Sequence, residues 1–180
     1  MMRRRHAITL LCAAGLPAAR ANVRAPEEVA GEWPAPRLHG QGQLRFFGLH
    51  VYDIRLWTSA PALGAEDWPR TPLALEIEYG RSLVGRMIAE RSLEEMARSG
   101  PIAPETSQRW LGEMTRLFPD VKAGDRITGV HRPGAGARFF VNGRLRGEVR
   151  DTDFAQRFFG IWLGSSTSEP SLRSALLGAR

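Results

Sequence analysis

The apolar positions change period several times along the chain, and each change marks an element. Between Leu38 and Trp57 stand Leu44, Phe46, Phe47, Leu49, Val51, Tyr52, Ile54, Leu56 and Trp57, with only Gly48 as a break. This β-favouring content predicts two strands or one long bent strand. Ser59 to Thr71 contains Pro61, Gly64 and Pro69, with Pro72 just after, and reads as a loop. Leu73, Leu75, Ile77 and Tyr79 then alternate with Ala74, Glu76 and Glu78, the pattern of a half-buried strand. From Ser82 to Arg98 the period lengthens. Leu83, Val84, Met87, Ile88, Leu93 and Met96 lie among charges, which predicts a helix, and Gly100-Pro101 stops it.

A second helix is expected from Pro104-Glu105 through the stripe Trp110, Leu111, Met114, Leu117 and Phe118, closed by Pro119. Strands return at Asp125–Arg132, Arg138–Val141 and Arg144–Val149. Asn142-Gly143 between the last two is a strong hairpin signal, because a type I′ turn needs positive φ at both central residues. Asp151 suits the N-cap of a helix carrying Phe154, Phe158, Phe159, Trp162 and Leu163. A last helix opens at Ser168 or Glu169 and runs through Leu172, Leu176 and Leu177. Residues 22–37, rich in Pro, Ala, Glu and Gly, read as a loose lead-in to one domain over 38–180. Strands and helices come in separate blocks without a repeat, so the fold class is α+β.

The chain begins differently. Arg3, Arg4, Arg5 and His6 precede an apolar stretch, Ala7 to Ala19, that is too short to span a bilayer as a helix. Ala19-Arg20-Ala21 supplies the small-x-small pattern of a signal-peptidase site. Residues 1–21 are therefore expected to be a cleavable signal peptide, with the remainder periplasmic or secreted; the Sec and twin-arginine routes both stay open. Cys12, the one cysteine, follows Leu11 where a lipoprotein site wants a small residue, so a lipid anchor is not expected.

Cleavage changes the charge. Losing Arg3, Arg4, Arg5 and Arg20 leaves 21 basic residues against 19 acidic, and +6 falls to +2. The remaining arginines are spread among acids, which argues against a nucleic-acid footprint. The chain after residue 21 has no cysteine, which excludes disulfides and thiolate chemistry there, and it holds no apolar run of membrane-spanning length.

Candidate chemistry is sparse. His39, His50 and His131 have no neighbouring group at metal-ligand spacing, and no cofactor is expected. Gly134-Ala135-Gly136 starts like a dinucleotide fingerprint but lacks the third glycine and leads into strand pattern, so it reads as a turn. His50, Tyr52 and Asp53 form a possible proton-shuttling trio. Strict alternation puts His50 and Tyr52 on one face and Asp53 on the other, which favours ordinary packing. His131 reads as a surface residue beside the Pro133 turn, and the Phe154/Phe158/Phe159/Trp162 stripe as core.

Several strings in order carry a family resemblance: Gly40-Gln41-Gly42-Gln43-Leu44-Arg45 leading to His50-Val51-Tyr52, and Phe118-Pro119-Asp120-Val121-Lys122-Ala123-Gly124-Asp125. Phe139-Phe140-Val141-Asn142-Gly143, Phe159-Gly160-Ile161-Trp162-Leu163-Gly164 and Pro170-Ser171-Leu172-Arg173 complete the series. Over about Leu38 to Gly178 the chain resembles the chalcone isomerase-like proteins, in their exported bacterial branch. The resemblance implies an open-faced β-sandwich, a curved antiparallel sheet with helices packed on one face and a ligand cleft between. It places the plant enzymes' strand Arg at Leu44, with Arg45 one residue late, and their Thr at Phe47. Their helix Tyr and Asn fall near Val84 and Arg91, and their last Ser/Thr near Leu172.

Most donors for a developing enolate are thus replaced. Arg45, Phe47, Val84, Met87, Arg91 and Leu172 become the expected ligand-binding residues, with no catalytic residue assigned. The leading expectation is a non-catalytic binder of a small apolar or amphipathic ligand such as a fatty acid. An accessory protein for another exported protein and a true isomerase remain the alternatives.

Overall fold

The computed structural model describes residues 24–178. The expected signal peptide, its cleavage site and Cys12 lie outside these residues. Six strands form one antiparallel sheet in chain order: β1 Arg37–Phe46, β2 Leu49–Thr58, β3 Leu73–Tyr79, β4 Arg126–Arg132, β5 Gly136–Val141 and β6 Arg144–Val149. Helix α1 is Glu27–Ala30. The long crossing from β3 to β4 carries α2, Gly85–Met96, and α3, Pro104–Leu117; α4 is Thr152–Leu163 and α5 is Pro170–Leu177. The expected single helix from Ser82 starts later, because Leu83 is held in a two-residue bridge with Val121.

One face of the sheet packs against α2 to α5. Leu73, Leu75, Ile77 and Tyr79 of β3 point there, meeting Trp110, Met114, Phe154, Phe158, Phe159 and Leu163 from the helices. The aromatic rings touch edge to face, as in Phe139–Phe158 with centroids 5.0 Å apart; such pairs contribute about 0.5–1.5 kcal/mol beyond their buried area. The Asp151 carboxylate caps α4 by accepting from Phe154 N at 3.0 Å, and it also accepts from Trp110 Nε1 at 2.9 Å, so the cap ties α3 to α4. Where α5 crosses β1, Gly40 is required: a Cβ there would lie 2.1 Å from the Leu176 carbonyl oxygen.

The opposite face is covered as well, which corrects the expectation of a loose lead-in. Val29 of α1 is fully buried against Trp57, Ala74, Val130 and Phe140. Glu28, also buried, accepts from Thr128 Oγ1 at 2.8 Å and pairs with Arg126 at 3.0 Å, while Glu32 pairs with Arg138 at 2.6 Å. Below them Trp57 Nε1 donates to Glu76 at 2.7 Å, and Arg55 bridges Glu76 and Glu78. β3 is therefore buried on both faces rather than half-buried: Glu76 points away from the helices yet is only 4% exposed. Buried carboxylates of this kind persist because each meets a cation or a hydroxyl.

His131 is likewise not at the surface. It is fully buried between Trp68 and Phe159, with Nδ1 3.2 Å from the Thr71 carbonyl, and burial lowers its pKa.

Candidate functional site

The helices cover the sheet unevenly. α5 lies over β1, α4 over β4 and β5, and α3 meets β6, whereas α2 rests chiefly on α3 and α4. The sheet is left open at the end where β1 turns into β2. Leu44 pairs with Tyr52 and Phe46 with Leu49 on the helix-facing side, joined by the two-residue turn Phe47-Gly48. Phe46, Phe47 and Leu49 are exposed there, as are Val84 and Met87 at the start of α2. Phe46 and Phe47 hold each other edge to face at 4.5 Å.

Tyr52, packed against the core, is the polar group behind this end. Its hydroxyl accepts from Trp162 Nε1 at 2.9 Å. Burial pushes its pKa up to about 12; the Trp162 bond and the charge of Arg91 act the other way, while Glu169 and Glu95 add to the rise. At neutral pH the hydroxyl keeps its proton and has it available to donate. Arg91 lies one helical turn beyond Met87 on α2, paired with Glu94 at 3.3 Å and with Glu95. Glu95 Oε2 is buried without a hydrogen bond, with Arg98 Nε 3.5 Å away. A buried carboxylate oxygen without a donor is costly, so this edge of the opening is polar and under-satisfied.

The expected ligand-binding residues divide. Phe47, Val84 and Met87 stand at the open end, and Arg91 is at its edge. Leu172 is buried, its Cδ1 lying over Gly42 so that it closes the floor beneath α5. Arg45 is on the other side of the sheet. It pairs with His50, and its guanidinium makes only long contacts to Gly48 O at 3.4 Å and Gln43 Oε1 at 3.3 Å. Arg45 and Tyr52 therefore do not converge.

The His50 trio is corrected by the same local feature. Val51 is an extra residue opposite the step from Leu44 to Arg45, a β-bulge whose carbonyl accepts from Gly80 N at 2.9 Å. The bulge inverts the alternation, so His50 shares a face with Asp53 and not with Tyr52. His50 Nε2 is 3.3 Å from Asp53 Oδ2 but out of line for a hydrogen bond. The pair sits behind the sheet, away from the Tyr52 hydroxyl.

Phe46, Leu49 and Trp162 belong to this end but were not expected there. The available signal was two adjacent phenylalanines beside a glycine, since apolar rings are unusual at a hairpin tip. Two surface depressions lie elsewhere: one of about 310 Å³ beside Trp68, Arg157 and Ser165, the other of about 520 Å³ beside Arg109, Glu113 and Arg150. In the first Arg157 is paired with Asp153, and in the second Arg109 is paired with Asp151 and Arg150 with Glu148. Among the described residues no three His, Cys, Asp or Glu side chains gather as a metal site, and no helix is long and apolar enough to cross a membrane.

A six-stranded antiparallel meander with helices on one face, opening at its first hairpin, defines an open-faced α+β sandwich. The family model described as chalcone isomerase-like matches residues 19–178, and the chain belongs to that family. It is 28% identical over 139 residues to an uncharacterized protein of Haemophilus influenzae, covering 77% of this chain and 66% of that protein. The chain thus spans just under two thirds of that relative's length. Its fold is similar to that of a fatty-acid binding protein of Arabidopsis thaliana, with a TM-score of 0.64 and 15% identity over 81% of this chain and 88% of the other.

Proposed function

We propose that this protein is an exported, non-catalytic binder of an amphipathic small molecule, with a long-chain carboxylate as its ligand class. The observation that carries the reading is the uncovered end of the sheet. Phe46, Phe47, Leu49, Val84 and Met87 offer exposed apolar surface, the neutral Tyr52 hydroxyl lies buried behind it, and Arg91 stands at the edge. Apolar walls with a few placed polar groups suit a ligand with a chain and a head. The tail would be held by burial, at about 0.8 kcal/mol per methylene. The head would accept a hydrogen bond from the Tyr52 hydroxyl and pair with the Arg91 guanidinium, a charge-assisted pairing.

The fold similarity to a fatty-acid binding protein supports the same class. Isomerase chemistry is disfavoured by the donors: Phe47, Val84 and Leu172 supply none, and Arg45 lies on the far face. The export half of the proposal rests on the basic, apolar and small-residue order of residues 1–21.

The test is calorimetric titration of delipidated protein with saturated fatty acids of increasing length. The protein is taken from the periplasm, where its intact mass should correspond to a start at Asn22. Affinity is expected to rise about fourfold per added methylene until the opening is filled, and to weaken in Tyr52→Phe and Arg91→Gln. A chalcone absorbance assay runs beside it. Absence of heat with every chain length, in folded protein, removes the ligand reading. Chalcone turnover above the spontaneous rate that is lost in Tyr52→Phe removes the non-catalytic half, and a mass retaining residues 1–21 removes export.

A further inference from the structure

We propose that the Phe47 hairpin and the first turn of α2 seat this protein on the surface of a bilayer carrying anionic lipid. The inference rests on the amphiphile-binding reading above and names the source from which such a ligand enters.

Six large hydrophobic side chains are exposed among the described residues; Phe46, Phe47, Leu49, Val84 and Met87 stand at the β1–β2 side of this end, and Leu145, the sixth, is on the opposite, β6 edge. Gathered apolar exposure of this kind marks an interaction surface. Phe47 is 90% exposed and has φ 47, a left-handed conformation that a bulky side chain adopts only at a cost. The backbone turn would be better served by asparagine, so the ring is not there for the turn.

The charge around this surface selects the partner. Arg45 is exposed beside Phe46. Arg81 is exposed next to Gly80, which bonds Val51, and Lys122 is exposed next to Val121, which is bridged to Leu83. Among the described residues none of the three has an acidic group within ion-pair distance. Most acids at this end are already engaged: Asp120 accepts from Gly85 N at 2.8 Å, Asp125 from Lys122 N at 2.9 Å and from Asn142 at 3.0 Å, and Glu90 pairs with Arg86 at 2.8 Å, while Asp53 lies behind the sheet, 3.3 Å from His50 Nε2. Phenyl rings ahead of unpaired cations match a bilayer, whose phosphates lie outside its acyl chains. Tyr52 and Arg91 then stand directly behind the contact, where a lipid tail leaving the bilayer would meet the opening.

Flotation with phosphatidylcholine vesicles, with and without phosphatidylglycerol, tests the proposal. Binding is expected only with phosphatidylglycerol, to fall as salt is raised, and to weaken about tenfold in Phe47→Asn, which removes one buried ring. Asparagine suits the left-handed turn, and the melting midpoint of the variant confirms that it is folded. Equal binding to both vesicles, or binding unchanged in Phe47→Asn, overturns the proposal. A concentration-dependent dimer that dissociates in Phe47→Asn, without vesicle binding, also overturns it and assigns the surface to a second copy. The fatty-acid titration, run without vesicles, separates the two readings. Heat without vesicle binding overturns the docking alone; vesicle binding without heat supports the docking and overturns the cleft ligand alone.

Discussion

Two hairpins in this sheet have almost the same backbone and opposite side chains. Asn142 and Gly143 adopt φ 49 and 80, and Phe47 and Gly48 adopt φ 47 and 78. At the first turn the side chain serves the fold: Asn142 Oδ1 accepts from Arg126 N at 2.8 Å, and its Nδ2 donates to Asp125 at 3.0 Å. At the second, the Phe47 ring meets only Phe46 and otherwise water. The backbone problem is the same, so the difference reports what each turn does. Both turns lie at the same end of the strands but on opposite edges of the sheet: the Asn142 turn is tied to the neighbouring strand, and the Phe47 turn presents its ring outward. Their surroundings differ too, since a paired, exposed carboxylate lies beside the first and a buried phenol behind the second.

pH separates the two edges most strongly. The Tyr52 pKa is about 12 in the folded protein, above the ordinary tyrosine value of 10.0. Above pH 10 the unfolded chain loses this proton first and so binds fewer protons than the native state. Stability contributed by a neutral Tyr52 is therefore full below pH 10 and falls by roughly 2–3 kcal/mol as pH rises towards 12. Denaturant titrations across this range, compared with Tyr52→Phe, measure it; a parent and variant that lose stability in parallel contradict it. The Asn142 edge responds to acid instead. Asp125 is held below the usual carboxylate range by the hydrogen bonds from Lys122 N and then Asn142, so its contribution is present above the unfolded value near 3.8 and is lost as pH falls below it.

Gly143→Val comes next, with an expected loss of about 1–2 kcal/mol, because a β-branched residue resists the left-handed region. A chemical denaturation midpoint equal to that of the parent would mean that the turn tolerates the strain. Phe47→Asn is the smallest effect, a gain of about 0.5 kcal/mol or no change, as asparagine enters αL more readily than phenylalanine. A clear loss of stability would show that the ring supports the fold, which would remove the contrast between the hairpins.

Much of the architecture could be read from periodicity. The alternation in Leu73–Tyr79, the 3–4 stripe ending at Phe118, the Asn142-Gly143 turn and the Asp151 cap each predicted the element found, because each signal is local. Three misreadings share one cause. His131, Glu76 and Val29 are buried by partners far along the chain, Thr71, Arg126 and Phe140 among them, and nothing adjacent in sequence announces that contact. His50 has a separate cause: one extra residue, Val51, shifts side chains from one face of β2 to the other, whereas Arg45 alternates away from Leu44 in the ordinary way.

Within the candidate site, the family resemblance named Phe47, Val84, Met87 and Arg91, and the structure adds the Tyr52–Trp162 bond, which no local signal announced. It joins β2 to α4 across 110 positions of sequence. The sequence by itself determined element type, turn chemistry, membership of an α+β family and the apolar character of the first hairpin. Only the tertiary structure decided which face each strand residue occupies, that residues 27–30 seal the back of the sheet, and that the helices leave one end uncovered. Periodicity and capping act within a few residues, whereas burial and exposure depend on how the packed elements divide the sheet between them.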